Sequence, residues 1–218
     1  MITNPEYILI GSIPLLVIID YLFRVLHYKN FYLHYITAFL IALSLIFDAF
    51  FGNAYFNFFQ SMQFSRFVIG FTLFTALSIY LYIMLDHKQL SSSFDIMFMS
   101  ALLGAVLVII ASNFISIIVG FEILSISSYA LVFFGKSNIR LEGSMKFMVT
   151  SFIAILSMIF GASVIFAGNG SLSLPLINLH NYITALTGLI LFIVGLSFES
   201  TLVPFHIWAP DVYEAADS

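Results

Sequence analysis

Four ionisable side chains stand where an otherwise apolar chain gives them the most chemical leverage: Glu122, Lys146, Glu199 and His206. Glu122 lies in Ile118-Val119-Gly120-Phe121-Glu122-Ile123-Leu124, with no other charge near it in sequence. A charge at the centre of a membrane helix costs about 2.5–3.5 kcal/mol on insertion scales, so it normally faces a partner or a wet cavity. Two readings are open for it: a carboxyl that takes and gives a proton, or a neutral acid hydrogen-bonded to a neighbouring helix for packing. Glu199, in Gly195-Leu196-Ser197-Phe198-Glu199-Ser200-Thr201, precedes Pro204. Proline removes a backbone hydrogen bond and kinks or breaks a helix. Backbone groups freed at membrane depth are tolerated where they line protein or a water-filled cavity. A carboxylate beside such a break reads as part of an ion path; its rival reading is an acid near the cytoplasmic end that snorkels to water. Lys146 follows Glu142 by one helical turn and reads, from spacing, as a surface anchor paired with it. His206 follows Pro204; an imidazole titrates near neutrality and can relay a proton, though a lone histidine is more often structural. Asp20 with Arg24, and Asp48, read as interfacial.

The surroundings of these groups fix the solvent. Of 218 residues, 61% are hydrophobic and 8% charged, and the mean hydropathy is +1.09. Soluble domains carry about 25% charged residues. Seven Lys+Arg and eleven Asp+Glu cannot coat a water-facing surface, which excludes a soluble enzyme. Disorder is excluded by the hydrophobicity. A nucleic-acid partner is excluded by a formal net charge of −4 with no basic patch. Without cysteine there is no disulfide, iron–sulfur site or Cys-based zinc site. No His-metal spacing, haem-ligand pair or Gly-rich phosphate loop is present, so no cofactor is expected in this chain. The aromatic 17%, mostly Phe, reads as lipid-facing bulk.

The elements that position the four residues are therefore membrane helices of roughly 20 residues each. The apolar runs predict spans over 7–26, 31–51, 67–85, 94–111, 114–134, 144–166 and 182–208. The run 94–134 would be roughly 60 Å long as one helix, about twice the bilayer core, so it must fold back. Its central polar cluster, Ala111-Ser112-Asn113, places the turn. Gly168-Asn169-Gly170-Ser171 and Pro175 predict another loop. The runs are continuous rather than alternating, which argues against a β-barrel. Met1 to Tyr7 (MITNPEY) has no basic residue, and the first run is as long as a full span, so it reads as a retained helix rather than a cleaved signal. The expectation is an all-α polytopic transmembrane bundle of about seven helices, the seventh broken near Pro204. Arg24, Lys29, Lys88, Lys136, Arg140 and Lys146 fall on odd loops and only Arg66 on an even one, which places the N-terminus outside.

The segment Leu202-Val203-Pro204-Phe205-His206-Ile207-Trp208-Ala209-Pro210-Asp211-Val212-Tyr213-Glu214 resembles the PFHxWxPDVYEGA motif of the antiporter-like N-type subunits of respiratory complex I, the proton-pumping NADH:quinone oxidoreductase. Gly120-Phe121-Glu122-Ile123-Leu124-Ser125, continuing to Tyr129 and Leu131, resembles the family's fifth-helix G-x-E-x-x-S-x-x-x-Y-x-L. Glu142-Gly143-Ser144-Met145-Lys146-Phe147 is similar to its sixth-helix E-A-x-x-K-Y/F. The likeness covers 94–214 well, whereas the first three helices agree only in number and polarity. It implies a fold of about fourteen helices with two inverted repeats and broken helices. Residues 1–93 would be three N-terminal helices, and 94–218 an incomplete first repeat. Glu122 would match the glutamate that modulates a pumping lysine, and Lys146 the sixth-helix lysine.

Two departures bear on mechanism. Where the family pattern G-x-x-F-K-x-x-x-V-P-F-H has lysine, this chain has Glu199, and two carboxylates repel where an acid and an ammonium attract. The chain also ends near its seventh helix, so the resemblance implies the N-terminal half of such a subunit, as a fragment or as a split or truncated chain. Its end reads Glu214-Ala215-Ala216-Asp217-Ser218 where the family has E-G-A-P-T. The implied function is a membrane subunit of a complex I-type enzyme, translocating protons through Glu122, Lys146, Glu199 and His206, the first three laid in one polar track between the fifth, sixth and seventh helices. Its partners would be other membrane subunits and lipid, with quinone used by the complex but not clearly bound here. A prokaryotic plasma membrane is the expected location. Two alternatives stay open: a subunit of a multi-subunit Na⁺/H⁺ antiporter or membrane-bound hydrogenase, and a truncated structural subunit without pumping.

Overall fold

The computed structural model describes residues 5–25, 31–51, 62–86, 91–133, 138–174 and 182–217. Among these the chain is helical throughout: α1 (Pro5–Val25), α2 (Phe31–Phe51), α3 (Met62–Asp86), α4 (Ser92–Ile109), α5 (Phe114–Phe133), α6 (Asn138–Asn169), α7 (Tyr182–Glu199) and α8 (Ala209–Asp217). Five helices have the length and apolarity to cross a bilayer, and the apolar cores of α1 and α7, Ile8–Phe23 and Ile183–Glu199, are shorter. Large apolar side chains such as Phe71, Phe74, Leu156 and Phe160 face outward, as lipid requires and water would not allow in such numbers. Arg140 and Lys146 are described. Lys29, Lys88, Lys136 and the side chains of Arg24 and Arg66 lie outside the described residues, as does Pro175.

The chain divides into two compact units between Ile110 and Ala111. By packing, α4 groups with α1, α2 and α3 in the first unit, whereas the expected division between 93 and 94 concerns a repeat boundary. That unit is centred on Leu9, Leu16, Leu33, Ile41, Leu73, Met99 and Val106. Asp20 and Asp48 belong to it too, near the ends of α1 and α2 and at 8% and 4% exposure. At Gly70 a Cβ would stand 3.2 Å from Asp48 Oδ2, so the glycine leaves that carboxylate its place.

The second unit positions the residues of interest. The expected turn at 111–113 is present, and it caps α5: Ser116 N donates to Asn113 Oδ1 at 2.8 Å. The same turn is tied to the far end of α6, where Phe114 N donates to Leu172 O at 3.1 Å and Leu174 N to Ser112 O at 3.2 Å. Helices α6 and α7 pack backbone to backbone. A Cβ at Gly188 would lie 2.7 Å from Gly161 O, and one at Gly161 2.5 Å from Phe192 N. Small residues at a membrane interface let helices approach this closely, which raises van der Waals contact where lipid offers no hydrophobic gain. Ser157 Oγ adds a bond to Leu191 O at 2.8 Å. The close contact fixes the position of the C-terminal end of α7 along α6.

That end is Glu199, the last residue of α7. The helix ends five residues before Pro204 instead of running to Trp208. Leu202 N donates to Ser197 O at 2.9 Å and Thr201 N to Phe198 O at 3.3 Å, the two bonds of a Schellman closure. Thr201 occupies the left-handed position at φ 54°, where glycine is usual. Turns carry the chain through Pro204 to α8. Phe198 and Phe205 rings pack across the break at 4.3 Å.

Candidate functional site

Glu199 meets two other helices at the break. Its Oε1 accepts from Ser125 Oγ of α5 and, at 3.3 Å, from Ser151 Oγ of α6. Ser125 and Ser151 are buried, at 2% and 4% exposure. The second oxygen, Oε2, is buried and makes no hydrogen bond among the described residues. A carboxyl held on one oxygen by hydroxyls, which donate or accept equally well, can exist with or without its proton in one geometry. Glu122, one turn before Ser125 on α5, is half-buried, and its Oε2 likewise has no hydrogen-bond partner among the described residues. Glu122 shares a face of α5 with Ser125, which bonds Glu199.

Lys146 is placed elsewhere. Its Nζ donates to Glu142 at 2.9 Å and to Asp211 Oδ2 at 2.7 Å, with all three groups exposed. The pairing with Glu142 is the one its spacing predicts; the partner on α8 is new. Of the expected track, Glu199 meets Ser125 and Ser151, and Lys146 bonds to neither Glu199 nor Glu122. Lys146 docks α8 on α6, where Gly143 also lets Ala215 come into contact. Trp208 stacks on Phe147 at 4.8 Å, and Phe147 meets Tyr129 of α5 edge-on at 6.3 Å. A groove of 530 Å³ opens beside Lys146 between α6 and Trp208, lined largely by Leu141, Met145 and Val149, and neither Glu122 nor Glu199 borders it. His206 lies exposed in the turn before α8, with its carbonyl accepting from Ala209 N at 3.0 Å. It is not joined to the carboxylates.

Ser125 and Ser151 were not singled out by the sequence. Ser125 follows Glu122 by three residues and so shares its helix face, but serine recurs on most helices of this chain and carries no signal alone. Among the described residues no three His, Cys, Asp or Glu side chains gather as a metal site.

A bundle of apolar helices, one of them ending on a half-buried carboxyl held from two neighbours, defines a polytopic membrane protein. Residues 111–217 match the model of the family described as NADH:quinone oxidoreductase/Mrp antiporter, transmembrane. The second unit belongs to this family. It is 38% identical over 159 residues to NADH-quinone oxidoreductase subunit N of Anoxybacillus flavithermus, covering 68% of this chain and 31% of the relative. Against subunit N of Coxiella burnetii it is 30% identical over 210 residues, covering 88% and 43%. In fold it resembles a chain of respiratory complex I from Thermus thermophilus, with a TM-score of 0.78 at 24% identity, covering 96% of this chain and 47% of that one. The chain thus spans less than half the length of these relatives.

Proposed function

We propose that this chain is a membrane subunit of a complex I-type oxidoreductase, in which it contributes to proton translocation coupled to electron transfer to quinone. Glu199 is the proton carrier and Glu122 the group whose charge governs it. The observation that carries the reading is the pair of hydroxyls, Ser125 and Ser151, holding one oxygen of Glu199 at the end of α7. Moving a proton on or off Glu199 changes the repulsion it feels from Glu122, so the state of one carboxyl biases the other. Because a hydroxyl accepts as readily as it donates, the same two serines would also serve the lysine usual in the family. Lys146 acts here by holding α8 after the break, and His206 stands on the turn leading to it. The partners are the other membrane subunits of such a complex and lipid. The location is the plasma membrane of a prokaryotic cell, with the N-terminus outside.

The test is made in the assembled complex in sealed vesicles. Glu122→Ala should lower proton pumping while electron transfer continues; unchanged pumping would remove Glu122 from the mechanism. A second reading, a subunit of a Mrp-type antiporter, draws on the family's own breadth, which includes Mrp antiporters. Co-purification with antiporter subunits and Na⁺-driven proton exchange without an electron donor would favour it. Wild-type pumping after both Glu122→Ala and Glu199→Gln would favour a structural role.

A further inference from the structure

The first unit buries a separate set of ionisable groups, remote in sequence from the family motifs. His34 Nδ1 on α2 meets Asp95 Oδ2 on α4 at 2.7 Å. The other oxygen of Asp95 accepts from the Tyr80 hydroxyl of α3 at 2.6 Å. That hydroxyl also meets Thr37 Oγ1, which lies 2.8 Å from the backbone carbonyl of His34. Asp95, Tyr80 and Thr37 are completely buried and His34 is 6% exposed. Three helices converge on one carboxylate.

Packing alone does not call for such a group. Replacing a buried ion pair by apolar residues of similar volume is often neutral or stabilising by about 1–4 kcal/mol. Here the hydroxyl protons are committed: Tyr80 gives its own to Asp95, and Thr37 gives its to Tyr80 or to the His34 carbonyl. The proton count of the cluster can therefore change only at the His34–Asp95 pair. With a neutral ring the cluster carries one negative charge in a low-dielectric bundle; with one more proton, on the second ring nitrogen, it carries none. His34 and Asp95 are each the fourth residue of their helices, so that proton has about one turn to travel from the helix ends. The other titratable groups of the elements packed here are few. Asp20 on α1 is buried; Tyr35 on α2 and Tyr82 on α3 face outward; Asp48 lies far along α2. The side chains of Arg24 and Asp86 are outside the described residues.

We propose that His34, Asp95, Tyr80 and Thr37 form a proton-binding site of the first unit, which takes up and releases one proton at the His34–Asp95 pair and grips α2, α3 and α4 more tightly when the proton is bound. The site is independent of Glu199. The experiment is infrared difference spectroscopy of the full chain in lipid vesicles, stepped between about pH 5 and 8, where histidine titrates, with amide exchange of α2 and α4 followed in parallel. An imidazole–carboxylate difference signal is expected in the wild type and in Glu199→Gln, and is expected to vanish in His34→Gln and in Asp95→Asn. Corrected for the intrinsic pH dependence of amide exchange, protection should be higher at the acid end in the wild type and lose that dependence in His34→Gln. Identical spectra for wild type and His34→Gln would overturn the proposal. Should either of those substitutions prevent folding, Tyr80→Phe decides. Loss of one hydrogen bond to a charged group should move the midpoint by about one pH unit, and an unmoved midpoint would overturn the proposal equally.

Discussion

In the first unit Asp95 has both oxygens engaged, one by His34 and one by Tyr80, and no part of it reaches the surface. In the second unit Glu199 has one oxygen engaged by two serines, while the other makes no hydrogen bond among the described residues. Asp95 sits one turn inside a helix and Glu199 at the last residue of one. A carboxylate saturated from three helices fastens them, because any change of its charge or shape strands its partners. A carboxylate held on one side, at a helix end, can change its charge while its neighbours turn a hydroxyl. The second arrangement suits a group that must be loaded and unloaded repeatedly; the first suits one that marks a state.

The sharpest way to break this contrast is to truncate each acid. Asp95→Ala should lower the stability of the folded chain by about 3–5 kcal/mol, the cost of stranding a buried partner. Equal losses on thermal unfolding for Asp95→Ala and Glu199→Ala would erase the distinction. A smaller effect is expected at Lys146, whose partners are exposed. Lys146→Ala should speed amide exchange in α8 and leave α6 and α7 nearly unchanged, and high salt should do the same to the wild type, since exposed pairs are screened. If neither treatment touches α8, the Gly143–Ala215 contact and the Trp208–Phe147 stack alone hold it. The smallest change expected is at Thr201. Thr201→Gly should raise stability by about 1 kcal/mol, the scale of the cost of a left-handed β-branched residue. A loss there would mean that the closure of α7 is not the one described.

Much of this architecture was legible beforehand because its cause is one-dimensional. A run of apolar residues long enough for a bilayer declares itself, and the polar Ala111-Ser112-Asn113 cluster is where α4 gives way to α5. Pro204 announced a break, but not its position. The helix closes at Glu199 through backbone bonds from Thr201 and Leu202, residues with no sequence mark of a helix end. The two acids of the site were visible as charges out of place. Their serines were not, since serine bonds to its own helix almost everywhere else, as Ser127 and Ser128 do. The His34–Asp95–Tyr80 cluster escaped notice because its members are scattered over α2, α3 and α4 near helix ends, where an ionisable residue looks interfacial. Spacing pairs Lys146 with Glu142 on α6, as observed, but carries no mark of its second partner on α8.

The central claim is that Glu199 carries the proton in the second unit. Its most direct measurement is the number of protons delivered per electron by the assembled complex in sealed vesicles, wild type against Glu199→Gln. The amide keeps the shape and can still accept from Ser125 and Ser151 but cannot bind or release a proton. The expected result is continued electron transfer with fewer protons delivered; an unchanged ratio would contradict the claim.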